Sequence, residues 1–285
     1  MLLRILKLII SLCFALLIGL PRALWGILTR NPITTCVVLC YHGVSSRGAP
    51  RFARQVSWMV TLTTPIAVGE MNRLKQGIHH VLVTFDDGLV SSSENALPVL
   101  ARRRVPCVFF VPVGCLGCVP QWITEYGFST AGETVVTAEQ LRHLSPEWVE
   151  IGSHSVSHRR FCDLGQNETR WEMEESKRQL EAITSRRLVC FSFPYGYDTV
   201  TLVRKAIEAG YQHVFTSTLR WPKTVGQPTV TGRLRASPDD WTLEFVLKIL
   251  GFYCWVPAAS GLKRKVQGWT ARNHVEAGQA NLAND

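Results

Sequence analysis

Two short polar motifs, each behind a strand-like apolar run, carry the residue types of a hydrolytic metal site. The first is Thr-Phe-Asp-Asp-Gly at residues 84–88, and the second is His-Ser-Val-Ser-His at residues 154–158. One carboxylate and two imidazoles can hold a divalent ion with positions left open, and a neighbouring carboxylate can take a proton from the attacking water. The sequence therefore predicts a metal-dependent hydrolase.

The spacing within each motif predicts how the side chains converge. Successive strand residues point to opposite faces, so Asp86 and Asp87 can share one site only if the strand ends there and the chain turns at Gly88. His154 and His158 are four residues apart, a spacing that places both on one face of a helical turn. Alone, Asp-Asp-Gly is usually a turn and such a histidine pair usually lies on a solvated helix face. Together, behind two strand-like runs, they favour the metal site.

The length and composition of the chain fit one globular domain with a substantial core. It has 285 residues, 46% of them hydrophobic, and a formal net charge of +9 spread in short clusters. No nucleic-acid-binding motif accompanies these clusters, so the charge favours an anionic membrane surface or polymer over nucleic acid. The nine cysteines, an odd number, do not indicate a disulfide framework.

Residues 1–30 are predicted to form a membrane-associated apolar segment. Residues 8–20 carry no formal charge, but as a helix they would span only about 20 Å of a hydrocarbon core of about 30 Å. A longer span, to residue 28, would contain Pro21, a helix breaker, and Arg22. Because no small-x-small cleavage site follows, an uncleaved anchor or an in-plane interfacial helix is favoured over a removed signal peptide.

The other end of the chain contains a second apolar run and a polar tail. Residues 243–255 are predicted to form a final core helix. The alternative is that this run, together with the basic cluster at residues 263–265, also contacts the membrane surface. Residues 269–285 are polar and rich in small residues, and we expect them to be disordered.

Between these ends, short β-branched runs alternate with helical segments. The predicted strands are residues 36–41, 80–85, 107–112, 148–152, 188–193, 213–216 and 229–234. The predicted helices are residues 92–103, 137–144, 167–184 and 200–209. This alternation indicates an α/β fold with a parallel sheet, either open or closed as a barrel. Chemistry in such folds collects at the carboxyl ends of the strands, where Asp86, Asp87 and His154 fall.

The two polar motifs and a third, Phe-Ser-Phe-Pro-Tyr-Gly at residues 191–196, resemble those of a known enzyme family. This is the polysaccharide deacetylase family, also called the NodB-homology domain or carbohydrate esterase family four. The resemblance covers residues 37–234. It implies an irregular (β/α) barrel of about seven parallel strands within residues 36–260, and metal-dependent removal of N- or O-acetyl groups from sugars.

By position in these motifs, the resemblance also implies roles for individual residues. The implied metal ligands, for which Zn²⁺ is the expected ion, are Asp87, His154 and His158. Asp86 would be the general base. The backbone N–H near Tyr195 would help stabilise the oxyanion, and Tyr195 and Pro194 would form the acetyl pocket. Aromatic residues that could stack on sugar faces or belong to the core are Phe85, Trp122 and Trp221.

The sequence departs from the family pattern at the proton donor and at one arginine. The common Leu-x-His motif near the C-terminus is absent after residue 194, whereas Leu-Cys-Tyr-His at residues 39–42 fits a variant found on the first strand, as in a circularly permuted barrel. His42 is therefore the implied general acid, with a structural histidine as the alternative. Many relatives have an arginine that orients the base where this chain has Ser192, and Arg233 or Arg235 could replace it.

These observations predict an N-deacetylase acting on N-acetylhexosamine units of a polysaccharide or of a lipid-linked glycan precursor. The expected partners are an acetylated glycan and a membrane surface, without nucleic acid. The absent arginine at Ser192 favours an alternative, a catalytically silent barrel that binds polysaccharide or scaffolds an assembly complex. An amidase or deformylase acting on a small lipid-linked sugar shares every motif and is a further alternative.

Overall fold

The structure is a computed structural model that describes residues 1–122, 133–196, 198–217 and 229–256. Three features singled out in the sequence lie outside the described residues. They are Trp221, the basic cluster at 263–265 and the polar tail at 269–285.

Strands and helices alternate along most of the chain. The strands are β1 (Thr35–Tyr41), β2 (Thr64–Pro65), β3 (His79–Phe85), β4 (Cys107–Val111), β5 (Val149–Ser153), β6 (Cys190–Ser192), β7 (His213–Thr216), β8 (Thr229–Gly232) and β9 (Leu234–Arg235). The helices are α1 (Leu2–Phe14), α2 (Leu20–Leu28), α3 (Ala49–Leu62), α4 (Val90–Asn95), α5 (Leu97–Arg102), α6 (Ala138–His143), α7 (Gln166–Thr184), α8 (Val200–Glu208) and α9 (Thr242–Ile249).

The strands form a parallel sheet that curls into a nearly closed barrel. Their order is β8-β7-β6-β5-β4-β3-β1-β9, with β2 added beside β3. Only Arg233 separates β8, which pairs with β7, from β9, which pairs with β1. Because β8 and β9 are thus two halves of one strand, the ring has seven strands, β1, β3, β4, β5, β6, β7 and β8–β9. The predicted barrel is confirmed.

Residue alternation along the strands separates the helix-facing core from the barrel interior. Val37 and Leu39 of β1 pack with α3 in the largest hydrophobic cluster, while Val38 and Leu82 belong to a second cluster with interior residues of β4 and β7. Since side chains alternate, Asp86 continues the interior side of β3 begun by Leu82. The strand pattern alone therefore directs Asp86 to the barrel mouth.

The predicted helices are present, with two differences. The segment predicted as one helix at 92–103 is two helices, α4 and α5, because Pro98 lacks the N–H that would continue the ladder across the junction. Helix α3 was not predicted, although it buries Phe52, Val56 and Met59 on one face. The final helix, α9, buries Phe245, Leu247 and Ile249, as predicted for a core helix.

The N-terminal segment is helical throughout, as expected for an anchor or interfacial helix, and Pro21 lies within it without ending it. A π-helical turn over Ala15–Gly19 joins α1 to α2. Such a turn changes the hydrogen-bonding pattern just before Pro21, so the helix can continue although proline has no N–H to donate. The helical stretch Leu2–Leu28 is, within the described part of the chain, one helix long and apolar enough to cross a membrane by length and composition. Signal sequences meet the same criterion.

Candidate metal centre and active site

Asp86 forms a two-pronged ion pair with Arg233 at the mouth of the barrel. Its two carboxylate oxygens each accept a hydrogen bond from the guanidinium, Oδ1 from Nη1 and Oδ2 from Nη2, both at 2.6 Å. Both residues are buried. Of the two arginines that the sequence offered as a replacement at Ser192, Arg233 therefore holds the carboxylate, and Arg235 lines the cavity beside it.

Neighbouring side chains complete this pairing. Arg233 also donates to the hydroxyl of Thr84 at 3.1 Å and to that of Ser192 at 2.7 Å. The Cys40 thiol lies 3.3 Å from Asp86 Oδ2 and donates to it. Ser192 thus stands where many relatives have an arginine, and it supplies no charge. Instead, its hydroxyl accepts a hydrogen bond from Arg233, which lies elsewhere in the sheet.

The charge of Arg233 sets the ionisation of Asp86. Burial raises the pKa of the Asp86 carboxyl, but the charge and hydrogen bonds of Arg233, together with the nearby His154 and His42, hold the pKa well below its usual range. Burial likewise lowers the pKa of the Arg233 guanidinium, and Asp86 more than compensates. Both groups therefore remain charged across the physiological pH range.

Asp87 reaches the same site because its own backbone is left-handed. The φ angle is +68° at Asp87 and +61° at Gly88. The predicted turn is therefore centred on Asp87 as well as Gly88, and it brings the second carboxylate back to the mouth instead of the outer face of β3. Aspartate is one of the few residue types that adopt this conformation with little cost.

His154 and His158 converge on one oxygen of Asp87. The Nε2 atom of His158 is 3.0 Å from Asp87 Oδ1, and that of His154 is 3.7 Å from the same atom. One ligand atom from each of the three buried residues lies within 4.8 Å of the others. Two imidazole nitrogens and a carboxylate oxygen at this spacing fit the donor set of a divalent transition metal.

The histidine pair does not lie on a helical turn, which corrects the prediction. Strand β5 ends at Ser153, and the following loop turns through left-handed residues at Ser155 (φ +68°) and His158 (φ +56°). The hydroxyl of Ser155 accepts a hydrogen bond from the His158 N–H at 3.1 Å. Local hydrogen bonding of this kind competes with helix formation and folds the two imidazoles together.

A buried glutamate on α7 holds this loop in place. Glu172 Oε2 accepts the backbone N–H groups of Val156 at 2.7 Å and Ser157 at 3.0 Å. Its other oxygen accepts the Ser157 hydroxyl. The sequence analysis did not identify Glu172 as a site residue. Its role depends on how α7 packs behind the loop, which neither its residue type nor its spacing reveals.

The His154 imidazole has the protonation expected of a metal ligand. Burial lowers the pKa of His154 to about 4, more than the nearby carboxylates raise it, so the ring is neutral near pH 7. Its Nδ1 lies 2.8 Å from the Ser192 carbonyl oxygen, and a neutral ring that donates there presents the lone pair of Nε2 towards Asp87. The His158 Nδ1 is buried without a hydrogen-bond partner among the described residues.

An aromatic wall and a cavity adjoin the three candidate ligands. The Trp122 ring stacks on His158 with centroids 3.8 Å apart, and the Tyr195 ring lies 4.9 Å from the same imidazole. A cavity of about 380 Å³ is lined by these residues and by His42, both aspartates, Arg160 and Arg235. Phe85, by contrast, is completely buried in the core.

His42 and Pro194 lie where the sequence analysis expected them, at the same end of the barrel. His42 follows β1 and lines the cavity, and one of its ring nitrogens lies with Cys40 Sγ and an Asp86 oxygen inside a 4.8 Å group. Pro194 is buried and precedes Tyr195, whose φ is +58°. Every predicted site residue is thus at the mouth, with Pro194 behind the lining residues.

Comparisons with known proteins identify a matching family and a similar fold. A family model described as polysaccharide deacetylase matches residues 73–214. Among curated proteins, YxkH of Bacillus subtilis (strain 168), whose name assigns it provisionally to the polysaccharide deacetylases, is 25% identical over 186 residues. That match covers 61% of this chain and 62% of YxkH, so the chain spans less than two thirds of its relative's length.

Solved structures give the same result for the fold. IcaB from Ammonifex degensii is similar with a TM-score of 0.62 and 26% identity, over 75% of this chain and 97% of that one. The Streptococcus pyogenes deacetylase PplD, solved in complex with acetate, has a TM-score of 0.60 and 19% identity over 75% and 97% of the two chains. At that identity the likeness to PplD concerns the fold alone.

Proposed function

This chain belongs to the polysaccharide deacetylase family, and we propose that it is a metal-dependent hydrolase that removes N-acetyl groups from N-acetylhexosamine units. The units would belong to a polysaccharide or to a lipid-linked glycan precursor. The observation that carries the proposal is the convergence of Asp87, His154 and His158 beside an ionised Asp86. Amide hydrolysis needs an activated water, a polarised carbonyl and a proton for the leaving amine, and this mouth has candidates for each.

The proposed metal ligands are Asp87, His154 and His158, and the proposed ion is Zn²⁺. A bound divalent cation supplies polarisation of the acyl carbonyl and a lowered pKa for the attacking water. The chain's own contribution is to present a carboxylate oxygen and two imidazole nitrogens within 4.8 Å of one another. Ser192 contributes by fixing the orientation of His154 through its carbonyl oxygen.

Asp86 is the proposed general base. Because Arg233 keeps its pKa low, the Asp86 carboxylate is ionised near pH 7 and available to accept a proton. The two-pronged guanidinium also fixes the plane of the carboxylate, which limits the directions from which it can accept that proton. Orientation, more than basicity, is therefore what Arg233 gives to Asp86.

His42 is the proposed general acid, and Tyr195 is the proposed oxyanion and acyl-pocket residue. His42 lines the same cavity as the histidine pair, and is proposed to give a proton to the leaving amine there. The left-handed backbone of Tyr195 turns its ring towards His158. Its N–H is proposed to face the developing oxyanion, with the Tyr195 and Trp122 rings enclosing the acetyl methyl group and the buried Pro194 supporting them from behind.

The proposed partners are an acetylated glycan and a membrane surface. Aromatic rings such as Trp122, together with the cavity-lining cation Arg160, are suited to the apolar faces and hydroxyl groups of sugars. The apolar helix at Leu2–Leu28 supports membrane association. The catalytically silent barrel rested on the absence of an arginine at Ser192, and the pairing of Arg233 with Asp86 removes that reason.

The test is acetate release from a panel of substrates by the purified full chain. The panel contains N-acetylhexosamine oligomers, a lipid-linked N-acetylhexosamine and an N-formylated lipid-linked sugar. We expect acetate from the N-acetylated members, and a loss of about two to four orders of magnitude for Asp86→Asn with unchanged metal content. The exposed Asp163→Asn is the matched control. Release at the wild-type rate by Asp86→Asn, or of formate alone, would refute the proposal.

A further inference from the structure

The N-terminal helix lies lengthwise against the barrel domain through one narrow stripe. The side chains that are not fully exposed along it recur about every four residues, and they include Arg4, Leu8, Ser11, Ala15 and Gly19. Ser11 is completely buried. This spacing places them on one side of the helix, which we call the docking stripe.

Polar contacts anchor the first half of the docking stripe. Arg4 Nε donates to Glu244 Oε2 at 2.7 Å, and its guanidinium lies 4.4 Å from the centre of the Trp241 ring. About two helical turns after Arg4, the Ser11 hydroxyl accepts a hydrogen bond from the Trp255 Nε1–H at 2.9 Å. These specific partners, all near α9, indicate that the helix belongs to the folded domain.

Close packing anchors the second half. The Phe14 and Phe252 rings meet edge to face, with centroids 6.4 Å apart. Gly19 lies so close to the Phe252 ring that a β-carbon at this position would clash with it. Glycine thus allows this close approach, and a larger residue would require the Phe252 ring to move.

The rest of the helix surface is apolar and uncovered. The exposed large hydrophobic residues on it include Leu2, Leu3, Leu6, Ile9, Ile10, Leu16, Leu17, Leu20, Leu24, Trp25, Ile27 and Leu28. A monomeric soluble protein rarely exposes an apolar surface of this extent. Something of low polarity must cover it.

The docking stripe is too long for the helix to cross a bilayer while it stays docked. Arg4 and Gly19 are fifteen residues apart, about 22 Å along a helix, and both ends of that interval contact the domain. The nine residues from Leu20 to Leu28 add about 14 Å, well short of a hydrocarbon core of about 30 Å. Spanning would break the Arg4–Glu244 and Ser11–Trp255 contacts.

Basic and aromatic side chains continue the surface beyond the start of the helix. Arg51, Arg54, Trp58 and Trp241 line one shallow cavity, and Arg54, Arg102 and Arg103 line the next. We call these six residues the basic–aromatic patch. Trp241 connects it to the helix, since its ring contacts Arg4. Arginine and tryptophan together are typical of the headgroup region of an anionic membrane.

The docked helix also borders the catalytic mouth. Lys7 lines a cavity of about 460 Å³ together with Ser217, Arg233 and Arg235. The last three residues also line the cavity that holds the candidate metal ligands. A surface that covers the helix is therefore close to the route by which a glycan would enter.

We propose that the N-terminal helix lies in the plane of an anionic bilayer surface, with its uncovered face among the acyl chains and the basic–aromatic patch at the headgroups. The protein is then bound to one leaflet and does not cross the membrane. Apolar burial supplies the binding, and anionic headgroups strengthen it through the arginines. The proposal does not depend on acetate release, so it can fail independently of the enzymatic one.

Flotation of the full chain with preformed vesicles tests the binding. We expect more protein on vesicles with phosphatidylglycerol than on phosphatidylcholine alone. Replacing Leu17, Leu20 and Leu24 by Gln should abolish flotation, whereas Trp171→Gln with Val200→Gln, at equally exposed apolar sites elsewhere, should not. If the two sets of variants float with the vesicles to the same extent, the proposal is overturned.

A charge series tests the basic–aromatic patch. Arg54→Gln and Arg102→Gln should each weaken binding to the anionic vesicles by about fivefold, with little change on neutral ones. Arg142→Gln and Arg187→Gln, exposed arginines elsewhere, are the matched controls. Equal losses in both pairs would show non-specific attraction and contradict the assignment of the patch.

Protease access separates an in-plane helix from a spanning one. A cleavable tag placed before Met1 should be removed completely by protease added outside vesicles to which the protein has been bound externally. Protection of the tag would mean that the N-terminus has crossed and would overturn the proposal. A stable dimer of the full chain that no longer floats would assign the apolar face to a second copy, with the same consequence.

Discussion

The buried pair of Asp86 and Arg233 combines charge with a geometry that other cations cannot reproduce. Two parallel hydrogen bonds of 2.6 Å join the guanidinium to both carboxylate oxygens, and further donation reaches Thr84 and Ser192. Lysine is a point charge on a flexible stem, so it can neutralise a carboxylate without fixing its plane. The pair can therefore be tested by a change that keeps the charge.

Arg233→Lys is expected to lower kcat by about 10–100-fold, because the base is no longer held in its productive plane. Metal content should remain near that of the native protein. Arg187→Lys, at an exposed arginine away from the cavity, is the matched control and should retain nearly full activity. Steady-state acetate release provides the measurement, and equal effects of the two substitutions would contradict the role of Arg233.

The loss of rate caused by replacing His42 is expected to be largest for substrates whose leaving group needs a proton. His42→Gln should slow hydrolysis of an N-acetylhexosamine amide by about 10²–10⁴-fold, since the leaving amine must be protonated. An activated aryl acetate, whose leaving group needs no proton, should lose much less. His143→Gln, an exposed histidine on α6, serves as the control. Equal losses on amide and ester would instead support a structural His42.

At the scale of elements, the loop between β5 and α7 shapes the proposed metal centre, and α7 supports that loop. The loop contains both histidines and two left-handed residues, Ser155 and His158. Its backbone donors are satisfied by the carboxylate of Glu172, which is buried. A helix outside the site therefore determines whether the two imidazoles face the same point.

Glu172→Gln is expected to weaken zinc binding by about 10–100-fold, because a neutral amide oxygen is a poorer acceptor for the clustered N–H groups and the loop loosens. The affinity can be measured by calorimetric titration of the metal-free protein. Glu174→Gln, on the exposed side of the same helix, should bind zinc like the native chain. Native affinity in Glu172→Gln would contradict this role of the helix.

The sequence was sufficient to predict the strands and the residues at their carboxyl ends, but not the conformation of the loops. The short β-branched runs of β1 and β3, buried on both faces, are a local property, so the parallel strands and the position of Asp86 at a strand end could be predicted. The turn at the histidines depends on hydrogen bonds to Ser155 and to Glu172, sixteen positions beyond Val156. A four-residue spacing suggested a helix where these contacts produce a left-handed loop.

The choice between Arg233 and Arg235 shows the same limit. Both lie near the end of the last predicted strand, and alternation alone gives them the same face. In the fold, Arg233 falls at the interruption between β8 and β9, where the last strand changes its pairing partner from β7 to β1. Closure of the barrel, a property of all the strands together, decides which arginine faces Asp86.

At the scale of the whole molecule, the apolar N-terminal helix is expected to determine where the enzyme acts. Deleting residues 1–30 should release the protein from membranes, because it removes the uncovered apolar face. Fractionation of cells that express each form provides the measurement. Acetate release from a water-soluble oligomer should persist in the shortened chain, and unchanged membrane partitioning would contradict the role of the helix.

The most direct test of the account is zinc titration of the chelator-stripped protein with acetate release followed in parallel. We predict that one equivalent of Zn²⁺ binds and that activity returns in step with occupancy. Asp87→Asn should weaken this binding by more than about 100-fold and abolish recovery, while Asp163→Asn should behave like the native chain. Full acetate release by the stripped protein, or native zinc affinity in Asp87→Asn, would contradict a metal centre built from Asp87, His154 and His158.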